Sequence, residues 1–231
     1  MSNEFNAVVF DLDGTLIDSA PGIKSAIRFA CQGLVPEPSD DALMDALSLP
    51  LGDALLRLFP GSPAPTHEQM QLRFRLRYDD TECLLAKPFP GVRSTIKLLV
   101  ERGVRCFVAT SKRSTPTLRI LGQLDLLPLL QDVVCSDSFL PSQARKETSL
   151  RHLVARHSLI PLRSLLVGDA VADFDAARAV GFEFLAVSHG YESQALAKLL
   201  PKTSFLASIG AILALPELRG SQALHRSTAT S

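Results

Sequence analysis

The stretch NAVVFDLDGTLIDS, residues 6–19, joins an apolar run to two carboxylates that stand directly after it. Asn6–Phe10 is rich in apolar residues without polar alternation, which is typical of a parallel strand buried on both faces. Asp11 and Asp13 then lie where the strand ends. Because ligands bind at the carboxyl ends of strands in open parallel sheets, this stretch predicts both a fold class and the position of a site.

Four later runs have the same apolar character, and helical patterns lie between them. The alternation of buried strands with helices predicts right-handed βαβ units and a Rossmann-like open parallel sheet of the α/β class. The additional predicted strands are Arg105–Ala109, Asp132–Cys135, Ser164–Val167 and Phe182–Val187. The predicted helices between them are Gly91–Arg102, Glu147–His157 and Asp173–Val180.

Residues 18–85 break this rhythm, because the segment contains no convincing strand and its breaks are rich in proline and glycine. We therefore predict a helical cap domain at 18–85, inserted into a core domain formed by 1–17 and 86–231. The predicted helices of this insert are Pro21–Gly33, Asp40–Leu47, Asp53–Phe59 and Thr66–Leu85.

The composition and charge of the chain disfavour binding to nucleic acid or to membranes. The 231 residues include 24 Lys+Arg and 24 Asp+Glu, so the formal net charge is +0 and gives no general attraction to nucleic acid or an anionic membrane. The apolar run that ends at Phe10 is too short for a signal peptide or a membrane span. Four cysteines stand in apolar stretches without a CxxC pair, which indicates buried thiols in a reducing compartment. These features favour a cytoplasmic enzyme that binds neither nucleic acid nor membrane.

Polar residues also follow the other strands of the predicted sheet. Thr110-Ser111-Lys112 follows one strand, Asp169 and Asp173 follow another, and Lys146 begins the helix between them. A parallel sheet would bring these residues beside Asp11. Each also has an ordinary structural interpretation: Thr110 as a helix cap, Lys146 as a solvated lysine, and the two aspartates as residues favoured at a helix N-terminus.

Taken in order, FDLDGTLIDS (10–19), VATSKR (108–113), a single lysine at 146 and VGDAVAD (167–173) resemble the motifs of the haloacid dehalogenase superfamily. The resemblance is to its phosphoglycolate-phosphatase-like branch with a helical cap, and it extends from Ala7 to about Leu215. Two departures stand out. Ser111 replaces an asparagine that is frequent in relatives, and Lys146 lies in RKETSL instead of the common KPxP form.

The resemblance implies a role for each matching residue. It makes Asp11 the nucleophile, Asp13 the general acid and base, and Thr110 and Lys146 the groups that hold the phosphoryl oxygens. It places the substrate phosphate against Leu12, Asp13, Thr110, Ser111 and Lys146. It implies one Mg²⁺ bound by Asp11, the backbone carbonyl of Asp13, and Asp169, with Asp173 as a ligand or an anchor. A carboxylate nucleophile and hard oxygen ligands suit this chemistry.

The leading interpretation is therefore a magnesium-dependent phosphatase acting on a small phosphomonoester, such as phosphoglycolate or a nucleoside 5′-monophosphate. A phosphosugar mutase would use the same Asp11 and Asp13, and a non-catalytic binding module would share the fold. A dehalogenase is disfavoured because that reaction needs neither an acid at position 13 nor magnesium. The expected partner is a small phosphorylated metabolite, and the chain could be a monomer or a homodimer.

The sequence also contains three weaker patterns. Arg73, Arg75 and Arg77 alternate with apolar residues, which we interpret as a solvated helix face. His189 follows the last predicted strand, and we assign it no role. The predicted cap loop at Leu49–Gly52 is the segment where the resemblance would place substrate choice.

Overall fold

In a computed structural model, residues 4–139 and 145–218 are described; the ends of the predicted core domain, 1–3 and 219–231, and residues 140–144 lie outside this description. In chain order the strands are β1 (Ala7–Phe10), β2 (Ile17–Asp18), β3 (Lys87–Pro88), β4 (Arg105–Ala109), β5 (Asp132–Val134), β6 (Ser164–Gly168), β7 (Glu183–Val187) and β8 (Phe205–Leu206). In the described residues, none of the helices is long and apolar enough to cross a membrane.

Six of these strands form one sheet in the order β5-β4-β1-β6-β7-β8, and every neighbouring pair is parallel. The predicted α/β class with an open parallel sheet is therefore confirmed. All five predicted strands are present, with bounds that differ by one residue at most. The sequence analysis missed β8, and it also missed β2 and β3, which pair antiparallel at the two ends of the helical insert. Each of the three missed strands has only two residues, too few to form a recognisable apolar run.

Side chains of the central strands alternate between two hydrophobic clusters, one on each face of the sheet. On β1, Val8 and Phe10 belong to one cluster, whereas Ala7 and Val9 belong to the other. Successive side chains of a strand point to opposite faces, so a strand covered on both sides must be apolar throughout. This explains why β1 reads as an unbroken apolar run.

Helices cover both faces and fill the insert. The helices are α1 (Ala20–Cys31), α2 (Asp40–Met44), α3 (Leu51–Leu58), α4 (Ala64–Asp80), α5 (Val92–Glu101), α6 (Ser114–Gln123), α7 (Lys146–His157), α8 (Val171–Val180) and α9 (Ser193–Leu196). Between β2 and β3 the described elements are helical, as predicted for 18–85. The division into a cap and a core domain stays a prediction.

Two predicted helices are wrong in their extent: the helix predicted at Asp40–Leu47 ends at Met44, and the one predicted at Thr66–Leu85 is divided in two. The α-helix α4 ends at Asp80, and a separate 3-10 helix follows at Glu82–Leu85. Thr81 lies between them with φ −128° and ψ −50°, outside the helical region, and both its N–H and its hydroxyl donate to the carbonyl of Arg77. The side chain of Thr81 therefore takes part in ending α4, as short hydroxyl side chains do at helix ends.

Candidate active site

The strand order places three predicted site residues together at the carboxyl ends of the central strands. β1 lies between β4 and β6, and the parallel registers align their carboxyl ends. Asp11 follows β1, Thr110 follows β4 and Asp169 follows β6. The backbone N–H of Asp11 donates to the carbonyl of Val167 at 2.9 Å, which continues the β1–β6 ladder up to the site.

Three carboxylates meet at these strand ends. Asp11, Asp169 and Asp173 are all buried, and each offers an oxygen within 4.8 Å of the oxygens offered by the other two. Asp173 lies in the first turn of α8, where its Oδ2 accepts hydrogen bonds of 3.2 Å from the N–H groups of Asp169 and Ala170. Its other oxygen, Oδ1, faces the cluster. Asp173 therefore both orders the loop after β6 and supplies a carboxylate to the site.

Among the described residues, Lys146 is the cation that contacts this cluster. From the start of α7, its Nζ donates a hydrogen bond to Oδ1 of Asp11 and forms an ion pair with Oδ1 of Asp173. Burial disfavours the ammonium, but the attraction of Asp11 and Asp173 outweighs this and raises the pKa of Lys146. The solvated-lysine interpretation is therefore wrong for Lys146, whose side chain is buried among carboxylates.

One ammonium does not balance three buried carboxylates. Burial, opposed by Lys146 and reinforced by Asp173, raises the pKa of Asp11 to about 7. Burial and the charge of Asp11 raise the pKa of Asp169 well above its usual value. Additional positive charge stabilises the ionised form of a carboxyl group whose pKa is raised in this way. A cluster of buried carboxylate oxygens with a charge deficit fits a hard divalent cation such as Mg²⁺.

Asp13 lies beside this cluster but its carboxylate makes a different contact. Its Oδ1 is 3.1 Å from Nζ of Lys112, in the loop after β4. Asp13 also begins a tight turn, since the N–H of Gly14 donates to the carbonyl of Ile17 at 2.9 Å. Proton transfer by Asp13 and a contact between its backbone carbonyl and a metal both stay predictions.

The predicted phosphate-contacting residues differ in their exposure. Thr110 is buried and its Oγ1 accepts a 3.2 Å hydrogen bond from the N–H of Lys112, whereas Ser111 is exposed. The side chain of Leu12 is buried in the core, so only its backbone could reach a substrate. Contacts of these residues with a phosphate stay predictions.

Two residues beside the carboxylates were missed by the sequence analysis. Thr15 donates from Oγ1 to Oδ1 of Asp169 at 3.1 Å, and the N–H of Tyr191 donates to Oδ2 of Asp169 at 2.8 Å. Thr15 belongs to the DLDGT motif, so its proximity to Asp11 was a usable signal. Tyr191 follows β7, and its approach to Asp169 depends on how two loops meet.

The weaker patterns have structural explanations. His189 lies 3.2 Å from the carbonyl of Thr15 through Nε2 and its ring contacts Phe89, which indicates a packing role. Arg73 donates to the carbonyl of Gln32 at 2.7 Å, and Arg77 pairs with Glu82 at 2.8 Å. The interpretation of this arginine face as simply solvated is therefore incomplete, because these two side chains fasten α4 to neighbouring segments.

Comparison with known proteins identifies a matching family and relatives with different named activities. The profile of the haloacid dehalogenase-like hydrolase family matches residues 8–187. The phosphoglycolate phosphatase of Rhodospirillum rubrum is 30% identical over 226 residues, 93% of each chain. The tyrosine-protein kinase PtkA of Mycobacterium tuberculosis is 32% identical over 185 residues, which are 80% of this chain and 62% of the length of that relative.

Solved structures share the fold. A haloacid dehalogenase-like hydrolase from Streptococcus pneumoniae superimposes with a TM-score of 0.82 at 22% identity, covering 93% of this chain and 99% of that one. The structure of PtkA from Mycobacterium tuberculosis superimposes with a TM-score of 0.76 at 29% identity, covering 91% and 97%. The fold of this chain, including its inserted helices, is therefore shared with these solved structures.

Proposed function

The chain belongs to the haloacid dehalogenase-like hydrolase family, and on that premise we propose that it is a Mg²⁺-dependent phosphatase that hydrolyses a small phosphomonoester through a phospho-Asp11 intermediate. The observation that carries this proposal is the contact of Lys146 with Asp11 inside a cluster of three buried carboxylates. A buried carboxylate that lies beside a single ammonium, in a cluster that still needs positive charge, suits a nucleophile that attacks an anionic phosphate.

Asp11, Asp169 and Asp173 are the side chains that would hold the ion, as a charge-deficient set of hard oxygen donors. The family resemblance adds the backbone carbonyl of Asp13. When bound, Mg²⁺ supplies the positive charge that lets a carboxylate approach a phosphate dianion.

The remaining chemistry is proposed for the chain's own residues. An oxygen of Asp11 forms a bond to phosphorus while the bond between phosphorus and the ester oxygen breaks, and Asp13 gives its proton to that leaving oxygen. Water then attacks the phospho-Asp11, Asp13 takes a proton from the water, and the Asp11–phosphorus bond breaks to release inorganic phosphate. Lys146 and Thr110 would hold the phosphoryl oxygens in both steps.

The relatives and the inserted helices support the proposed substrate class. Two kinds of small phosphomonoester, phosphoglycolate-like acids and nucleoside 5′-monophosphates, remain the proposed substrates, and the relative from Rhodospirillum rubrum is named a phosphoglycolate phosphatase. The helices α1–α4 are inserted directly after the nucleophile strand, where a cap would exclude water and large substrates. We propose that this cap restricts the enzyme to small metabolites.

The test is a panel of small phosphomonoesters, with phosphoglycolate and nucleoside 5′-monophosphates included, assayed with Mg²⁺ for released inorganic phosphate. Wild-type protein should release phosphate, and Asp11→Asn, which keeps the shape of the site but is a poor nucleophile, should not. Release by Asp11→Asn at the wild-type rate would contradict the proposal.

Two further assays separate the alternatives. A phosphosugar mutase would convert one sugar phosphate to its isomer without releasing phosphate, so the products of sugar phosphates are analysed as well. Because one relative is named a tyrosine-protein kinase, ATP with a tyrosine-containing peptide is also tested. We expect phosphate release from monoesters and no transfer to the peptide.

A further inference from the structure

A lysine from the loop after β4 connects Asp13 to the inserted helices. Nζ of Lys112 lies 3.1 Å from Oδ1 of Asp13 and donates a 2.6 Å hydrogen bond to the hydroxyl of Tyr78 on α4. The same ammonium is 4.5 Å from the centroid of the Tyr78 ring, within cation–π range. Lys112 therefore makes both a hydrogen bond and a cation–π contact with Tyr78, and it forms an ion pair with the carboxylate of Asp13.

The contacts of Lys112 with Asp13 and Tyr78 are made by a buried side chain. The Lys112 side chain is only 8% exposed, whereas that of Asp13 is 20% exposed. The ammonium of Lys112 is enclosed between the carboxylate of Asp13 and the hydroxyl of Tyr78. A buried ammonium keeps its partners because an unpaired one is costly, which fixes Lys112 between Tyr78 and Asp13.

Tyr78 is itself held firmly. It is 2% exposed and its ring stacks on Phe74 with centroids 5.0 Å apart. The carboxylate of the next residue, Asp79, forms an ion pair with the guanidinium of Arg113 at 3.3 Å. The backbone carbonyl of Asp79 accepts a 2.7 Å hydrogen bond from Arg119 of α6. The C-terminal end of α4 thus contacts the segment that follows β4, whereas the ring of Tyr78 is held by its burial and by its stacking on Phe74.

We propose that Lys112, oriented by Tyr78, is a positioning residue that holds the carboxylate of Asp13 for proton transfer. This inference rests on the proposed function, in which Asp13 protonates the leaving oxygen and then deprotonates water. Proton transfer requires the carboxylate to lie within hydrogen-bonding distance of those oxygens. Asp13 is the most exposed of the four site aspartates, so a fixed ammonium on one oxygen restricts its rotation.

The decisive measurement is a double-mutant cycle between Lys112 and Asp13. In the wild-type background, Lys112→Met should reduce kcat by about tenfold to a hundredfold, with little change in KM, because misplacing Asp13 forfeits only part of the roughly hundred- to ten-thousand-fold that general acid–base catalysis contributes. Tyr78→Phe keeps the ring and loses one hydrogen bond to Lys112, so kcat should fall by about fivefold. Lys112→Arg, which retains the charge, should recover part of the rate.

In an Asp13→Ala background these effects should disappear, because Lys112 and Tyr78 would have no carboxylate left to position. p-Nitrophenyl phosphate is the substrate for both backgrounds of the cycle, since its leaving group needs little protonation and the slow variants can still be followed. The phosphorylated protein is also quantified after an acid quench. Lys112→Met should accumulate it, as Asp13→Ala is expected to, because both impair activation of water.

Arg113→Met is the matched control. Arg113 is next to Lys112 and pairs with Asp79 of α4, but the contacts of its guanidinium are with Asp79 and Asp137, away from Asp13. Its kcat should stay within about twofold of the wild-type value, as expected for loss of an exposed ion pair. Thermal unfolding of each variant is recorded, and if Lys112→Met does not fold, Tyr78→Phe and Lys112→Arg are carried through the same cycle.

Three outcomes would overturn the inference. The rate loss of Lys112→Met could persist undiminished in the Asp13→Ala background, which would mean that Lys112 acts on the substrate or transition state directly. The effect of Lys112→Met could be confined to KM, which would indicate that Lys112 binds an anionic group of the substrate. Lys112→Met could also turn over at the wild-type rate. By contrast, a wild-type protein that releases no phosphate from any monoester would refute the proposed function itself, together with this inference.

Discussion

The backbone N–H of Tyr191 donates a 2.8 Å hydrogen bond to Oδ2 of Asp169, although the two residues are 22 positions apart. Thr15 occupies the other oxygen, Oδ1, at 3.1 Å. Both oxygens of the Asp169 carboxylate are therefore oriented by the protein, as is typical of residues around metal ligands. The loop that carries Tyr191 thereby controls the geometry of the proposed metal site.

Gly190→Ala should disturb that geometry. A Cβ at position 190 would lie against the Cβ of Asp169, well inside van der Waals contact. Moving a reacting or ligand group by about 1 Å costs roughly a hundredfold in rate, so we expect Mg²⁺ affinity and kcat to fall by about tenfold or more. Activity is titrated with Mg²⁺, and Gly61→Ala, where an added Cβ meets nothing within 4 Å, is the control. Wild-type Mg²⁺ affinity in Gly190→Ala would contradict the expected displacement.

Removal of divalent cations should abolish activity. Three buried carboxylates share one ammonium, so the site needs added positive charge before it meets a phosphate. We expect phosphate release to stop in excess chelator and to return with Mg²⁺. Mg²⁺ should also raise the unfolding temperature of the wild type, because it binds the folded state. Asp169→Asn should show a much smaller rise, and full turnover in chelator would exclude the metal assignment.

Lys146→Ala should lower kcat by about a hundredfold or more, as the loss of one electrostatic stabiliser does in other enzymes. The variant removes the cation that contacts Asp11 and Asp173. Lys97→Ala provides the control, since Lys97 is exposed and pairs at 3.7 Å with exposed Glu101. Steady-state rates of both variants with saturating Mg²⁺ are compared. Near-normal turnover by folded Lys146→Ala would show that the lysine is dispensable.

The metal-free protein should lose stability as the pH rises towards neutrality. Burial raises the pKa of Asp11 from 3.8 to about 7, so between these values the folded state holds a proton that the unfolded state has released. A group that binds its proton more tightly when folded makes stability fall with increasing pH. Denaturant unfolding from about pH 5 to about pH 8 should therefore show a steeper loss for the wild type than for Asp11→Asn. Parallel curves would mean that Asp11 is already ionised in the folded metal-free protein.

Asp13→Ala should separate the two half-reactions. With p-nitrophenyl phosphate the first step needs little protonation, but the attack of water still requires a base, so turnover should fall by roughly a hundred- to ten-thousand-fold. The phosphorylated protein should then accumulate, and peptide mapping after an acid quench should place the added phosphoryl group on Asp11. A phosphoryl group on any other peptide would overturn the assignment of the nucleophile.

Much of the site could be predicted from the sequence because its residues follow strands. An apolar run that ends in carboxylates identifies Asp11, and the same pattern at the end of β6 identifies Asp169. Parallel strands align their carboxyl ends, so residues far apart in the chain are brought together by topology alone. The roles carried over from the family resemblance stay predictions until the variants are measured.

The sequence by itself determined the open parallel sheet, the helical nature of the insert and the end of the sheet at which the carboxylates meet, because hydrophobic periodicity is a local property of the chain and parallel strands align their carboxyl ends. Only the tertiary structure decided that Lys112 lies between Tyr78 and Asp13 and that Tyr191 orients Asp169. These contacts depend on how α4 and the loop after β7 pack against the sheet. A helix pattern shows which residues share a face, but the partner of that face is chosen by burial and charge in three dimensions.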